Sequence, residues 1–397
     1  MATVFKTFLN DDIATTRTLL HEAIPVHGGI LYGTYDEPDV SPEQTNIKNY
    51  PHKMFQSVYD YPYLSSSANH IFDLTLGLTA DSDFINPDEV SAAKKQRIYQ
   101  QMAQVLVGHD TTGKILKFDE DGNILEGGDK FDEVFIISAA RLLNKDEIKK
   151  GSCFIHLDIG RESFSMGDSS RSVLYISDEG SANDYRVNSP AGDYGILRCR
   201  EVHTLEISDS STETPTYSFS YEGNELVDDR CGLIYYQAGV IVLSPSVFKL
   251  ADDGGKIPDA TIDPGIDPED VLEAPIMAVD GDVTEMDDML ENEDIPTNCT
   301  ALRRRMDRLA FNNTTELNST IYFCRINHND FNYSSNPTYL EDSKIRVKES
   351  TEDAPVSYIS TVGLYSADNE LLAVAKLSEV LRKDPTNEMV LRVRLDY

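Results

Sequence analysis

From Met389 to Asp396 the chain alternates strictly in character: Met389, Leu391, Val393 and Leu395 fall on one side, Arg392, Arg394 and Asp396 on the other. Only an extended chain with a period of two sorts residues this way, so the segment reads as a strand with one wet face and one covered face. Two strands precede it. Tyr358–Tyr365 is rich in β-branched and aromatic residues, and Leu371–Leu377 returns after the polar tract Ser366–Glu370, which makes a hairpin. Arg382–Asn387, with Pro385, turns the chain into the last strand and ties the C-terminus into a sheet. The element closes a fold and shows no catalytic pattern.

The same signature recurs upstream. Val134–Ser138, Ser152–Leu157, Ser172–Ile176, Glu201–Ile207, Tyr217–Tyr221 and Thr320–Ile326 read as strands. Leu233–Tyr236 and Val240–Leu243 flank Gln237-Ala238-Gly239 as a tight hairpin, and Ile115–Phe118 and Asn123–Leu125 flank Asp119–Gly122 with its turn dipeptide Asp121-Gly122. Short strands at even spacing predict a mainly β, α+β chain built from antiparallel β-sandwich domains. One long amphipathic helix is predicted over 87–107. Asn86 is its N-cap, Pro87 its first residue, Gly108 its stop, and Val90, Ile98, Met102, Val105 and Leu106 its apolar stripe. Ile13–Glu22 reads as a short helix, Gly28–Tyr35 as a strand, and the Pro- and Tyr-rich residues 36–68 as an irregular arm or packed loop.

At 397 residues the chain exceeds one core, and four segments are expected: 1–113 with the arm and helix, a sandwich-like domain over 114–250, a linker or insertion over 251–299, and a C-terminal β domain over 300–397. Residues 251–300 hold sixteen Asp and Glu against Lys256 alone, with five prolines, the composition of a solvated segment. Thr300 then caps a short helix, Ala301–Leu309. The formal net charge of −33 argues against nucleic-acid and anionic-membrane partners. Five scattered cysteines without a C-x-x-C pair predict reduced thiols, neither a zinc site nor a disulfide framework. Met1–Asn10 lacks the apolar run of a signal peptide, and no segment approaches membrane-spanning length.

Motifs that imitate chemistry have simpler readings. Gly108–Lys114 matches G-x-x-x-x-G-K, but Ile115 stands where magnesium needs a hydroxyl, and the loop leads from helix to strand. Asp119, Asp121 and Asn123 alternate like calcium ligands without the closing Glu, and fit a hairpin turn. Asp280-Gly281-Asp282 and Asp287-Asp288 read as solvated acids. The eight histidines are dispersed, and His156 reads as a packing residue of its strand. No catalytic, cofactor-binding or metal-binding residue is predicted. The candidate interfaces are the Phe331–Tyr339 loop, with Phe331, Tyr333, Pro337 and Tyr339, and the basic run with Arg303, Arg304 and Arg308.

Three stretches, Ile359–Tyr365 with Leu371–Leu377, Cys231–Leu243 and Phe331–Tyr339, resemble virion proteins of large contractile-tailed bacteriophages, marine and cyanobacterial ones in particular. The resemblance covers about a quarter of the chain and carries strand pairing and turns rather than ligands. It implies a non-enzymatic structural component of the tail or baseplate, a wedge or tail-attachment protein. Such a protein is made in the host cytoplasm, resides in the virion and works in several copies against other tail proteins. The alternatives from other classes are a receptor- or glycan-binding module of the same particle and, further off, a hydrolase of envelope polymers.

Overall fold

The computed structural model describes residues 5–31, 33, 45–124, 128–158, 170–207, 217–221, 230–248, 286–332, 340–341, 344–345 and 356–397. Their contacts divide the chain into a larger unit, His21–Thr315, and a smaller unit, Met1–Leu20 with Glu316–Tyr397. The division differs from the four segments expected along the sequence. Two long strands, Ile13–His27 and Met306–Ile326, each contribute to both units, so the boundaries fall within strands rather than at the acidic segment.

Antiparallel strands dominate the larger unit. From Met306–Ile326 the ladder passes through Phe154–Asp158, Ser170–Ser177, Gly192–Ile207, Arg230–Tyr235, Val240–Leu243, Glu133–Ala139, His70–Leu78 and Gln56–Tyr59 to Ile47–Asn49. The central pairs bury both faces: Val134–Ile137 and Val240–Leu243 are all in the core, in register Leu243↔Phe135 to Val240↔Ser138. Runs of four apolar, mostly β-branched residues without alternation encode such doubly covered strands. The hairpin predicted at 233–243 is present. Gly239 closes it at φ 67, and a side chain there would strike Asn144.

Helix Ala92–Leu106 packs on His70–Leu78, closely enough that a Cβ on Gly77 would lie 3.0 Å from the Tyr99 backbone. Tyr99 anchors the helix: its hydroxyl donates to Phe131 O at 2.6 Å and accepts from Phe118 N at 3.1 Å. The helix starts at Ala92 rather than Pro87, because residues 86–89 form a turn in which Asn86 accepts from the Asp88 amide. Val90 and Val105, expected in its apolar stripe, are exposed, and the buried face is Lys95, Ile98, Tyr99, Ala103 and Leu106.

Five other expectations are corrected. Ile13–Glu22 is strand, where Thr15, Thr16 and Thr18 suit extended backbone, and of the predicted strand at 28–35 residues Gly28–Leu31 form a helical turn, while 32, 34 and 35 lie outside the described residues. The strand Phe118–Asp119 pairs with Lys130–Phe131 instead of 123–125, because the Asp119 carboxylate gathers the amides of Asp121, Gly122 and Asn123 into a wider turn. The end of the acidic segment is helical, Met286–Asn292 and Ile295–Arg305, with Asp294 as N-cap accepting from Thr297 N at 3.0 Å. Leu309 and Arg308 consequently stand on a strand, not on the predicted 301–309 helix. Residues 251–285 lie outside the described residues.

Two buried charges organise the larger unit. Asp178 accepts from Gly151 N, Cys153 N and Tyr236 Oη at 2.8, 2.8 and 2.9 Å. Burial pushes its pKa up while those donors pull it down. Lys95 donates to Leu290 O and Glu293 O at 2.7 and 2.6 Å, where carbonyls end helix Met286–Asn292. Burial lowers its pKa to about 8. A neutral amine still has two N–H groups for those two acceptors.

Asp178→Ala leaves three donors without their acceptor, those of Cys153 and Tyr236 on buried residues, and costs on the order of 3 kcal/mol, read by urea unfolding; a loss below about 1 kcal/mol contradicts this role. For Lys95 the folded chain holds fewer protons than the unfolded chain between about pH 8 and 10.5. Stability therefore rises with pH across that window. Wild type gains on Lys95→Met between pH 8 and 10 in paired denaturation curves; a constant difference refutes the assignment.

Candidate functional site

The smaller unit joins the end of strand Met306–Ile326 to Met389–Asp396, in register from Ser319↔Asp396 to Ile326↔Met389. Beside this ladder stands the hairpin Ser357–Tyr365 with Leu371–Lys383. Its turn is closed by Ser366 N to Glu370 O at 2.8 Å, with Asn369 at φ 64. The predicted alternation of the last strand is present, yet Met389, Leu391, Val393 and Leu395 are only half-buried.

That shallowness extends to the whole unit. Among the described residues, Ile326, Val356 and Leu364 are its buried apolar side chains, whereas fifteen large apolar residues are exposed. The larger unit, with more than twice as many described residues, exposes seven among them. Leu371, Leu372 and Val374 are 53–67% exposed along the hairpin. This is the opposite of what burial of apolar surface favours in an isolated domain.

Within the unit lies a half-open cavity of about 740 Å³. Phe5, Phe331, Tyr358 and Tyr365 supply rings at its wall, with Phe5 and Tyr365 centroids 4.9 Å apart. Ser360, Thr361, Ser366 and Asn369 supply polar groups. Its ionic groups are paired: Lys6 with Asp330, and Arg325 with Asp12. The Leu9 amide and Arg325 hold the Asp12 carboxyl below its usual range. Cys324 also lines the cavity, but burial raises its thiol pKa and leaves it a poor nucleophile.

Phe331 adopts φ 53, an unusual conformation for a bulky residue. Its loop is held in place. The fully buried Lys383 donates to His328 O at 3.1 Å, Asn332 Oδ1 at 2.7 Å and Asp384 O at 2.7 Å, and Ser357 Oγ donates to Phe331 O.

Of the residues nominated from sequence, Phe331 reaches this cavity, 43% exposed. Tyr333, Pro337 and Tyr339 lie outside the described residues. Within the basic run Arg303 is corrected as a surface residue: it is fully buried, donating to Gln56 Oε1 at 3.1 Å and Leu31 O at 2.7 Å. Arg304 is half-buried, and the half-buried Arg308 sits over the Phe154 ring at 5.2 Å. The helix ends in three consecutive arginines, and its turn carries Arg303 and Arg305 inward, which a count of charges misses. Phe5, Asp12, Tyr365, Asn369 and Lys383 were not nominated, and no local motif marks them.

The imitated motifs resolve into turns. In the Gly108–Lys114 loop the Asp110 carboxylate accepts from the amides of Thr112 and Lys114 at 2.7 and 2.9 Å, occupying donors a phosphate needs. Asp119 spends its oxygens on three amides and Lys130. His156 is buried, with the Phe154 and Tyr175 rings 5.3 Å away. Asp287 and Asp288 stand on helix Met286–Asn292, and residues 280–285 lie outside the described residues. Among the described residues no cluster of three or more His, Cys, Asp or Glu is placed to hold a metal, and no helix is long and apolar enough to cross a membrane. Comparison with known protein families, curated proteins and solved structures returns no match to this chain.

Lys383→Met removes the amine that ties the 328–332 loop. The expected result is a loss of about 2 kcal/mol in urea unfolding and faster amide exchange at Phe331 and Asn332; unchanged exchange there contradicts the clamp.

Proposed function

We propose that this chain is a non-enzymatic building block of a contractile phage tail, a wedge or tail-attachment component of the baseplate that acts through protein–protein interfaces. The observation that carries the reading is the inverted surface of the smaller unit, fifteen exposed large apolar residues against three buried ones among those described. A unit of that composition gains its missing burial from neighbours in an assembly. The resemblance of Ile359–Tyr365 with Leu371–Leu377 to tail proteins supports the kind of particle, and the exposed side of this same hairpin supports the mode of use. Other tail proteins are its partners in this reading, with several copies in a symmetric particle and the virion as its place. A sandwich-like folding of the long sheet belongs to the same proposal, since open sheets of about ten strands curl or split into packed layers. The second reading, a receptor- or glycan-binding module, is favoured by the ring-lined cavity.

The test is solution mass, for the chain alone and mixed with tail proteins of one particle. A small species alone that enters a larger, defined complex on mixing supports the reading; no complex with any of them refutes it. Leu372→Asp with Val374→Asp changes two exposed side chains, so stability moves by about 0.5 kcal/mol each at most, while complex formation falls at least tenfold.

A further inference from the structure

The cavity of the smaller unit has the features of a built ligand site. Its volume of about 740 Å³ lies within the range of small-molecule pockets. Four aromatic residues at its wall are 42–55% exposed, although rings of that size gain most from burial. Phe331, one of the four non-glycine residues with positive φ among those described and the bulkiest, lines it. Strained backbone gathers where a site has to hold its shape, and here a buried lysine and the Ser357 hydroxyl hold Phe331 in place.

The chemistry of the wall selects the ligand. Lys6 is matched by Asp330 and Arg325 by Asp12, so these four groups contribute no net charge, in a chain whose formal charge is −33. An anion finds no unmatched cation among them. A neutral ligand that offers flat C–H faces to rings and hydroxyls to Ser360, Thr361, Ser366 and Asn369 matches what remains. From this wall we infer that the cavity bounded by Phe5, Phe331, Tyr358 and Tyr365 binds a neutral oligosaccharide. The inference does not depend on the assembly reading, because the cavity can bind sugar on the free chain.

The experiment titrates the full chain with neutral tetrasaccharides (maltotetraose, cellotetraose, chitotetraose and mannotetraose), with tetragalacturonate, and with a Leu- and Phe-rich peptide, by calorimetry and saturation-transfer NMR. At least one neutral sugar is expected to saturate below about 10 mM, as befits a handful of ring and hydroxyl contacts. Tyr365→Ala weakens it at least tenfold without lowering the melting temperature. Phe331→Gly removes the ring while suiting the positive φ, so the loop keeps its fold and the same weakening is expected. Failure of every neutral sugar to bind overturns the inference. So does binding of tetragalacturonate or the peptide alone, which reassigns the cavity to an anion or a protein segment. Sugar binding that survives both variants places the site elsewhere and overturns it too.

Discussion

The backbone ladder of Met306–Ile326 is the constraint on which both units depend. Its first residues pair with Phe154–Asp158 and Ile148, and its last eight with Met389–Asp396. A ladder hydrogen bond is worth about 1 kcal/mol net, but a buried amide left without one costs more, so a strand serving several partners is hard to alter anywhere along its length. The packed core lies between Val26 and Phe311, wholly in the larger unit, and the strand continues beyond it into the thinly covered smaller one.

Scarce cations are placed with economy. Against 68 acids the chain has 35 Lys and Arg, yet Lys95, Arg303 and Lys383 are withdrawn from the surface and donate to backbone carbonyls. Each joins segments remote in sequence or fixes a loop, tasks for which long multi-donor side chains suit. The remaining charge is uneven: by composition the smaller unit carries a net −4 and the larger −29. Self-repulsion is therefore weaker in the smaller unit, which is also where apolar side chains stand exposed.

Local pattern carried far where burial and backbone agreed. The 233–243 hairpin, the closing hairpin, the alternation of 389–396 and the prediction of a mainly antiparallel β chain all follow from residue types at fixed spacing. It failed where a distant partner outweighed a weak local preference. Ile13–Glu22 reads as helix by itself but is drawn into extended pairing, and Val105 fits a helical stripe yet points away from the face that Lys95 and Tyr99 take inward. The Arg run looked like a charged surface because sequence does not show which carbonyls its guanidinium groups will meet.

By itself the sequence determined that the chain builds antiparallel sheet, that Gly108–Lys114 and Asp119–Asn123 are turns, and that its formal net charge is −33. These properties depend on side-chain periodicity, local hydrogen bonding and summed charge, all legible over a few residues or over the whole composition. Tertiary structure alone decided which cations are buried, which apolar residues stay outside, and that Phe5, Asp12, Phe331, Asn369 and Tyr365 surround one cavity. Those residues come from segments more than three hundred positions apart, and only strand pairing brings them within reach of one another.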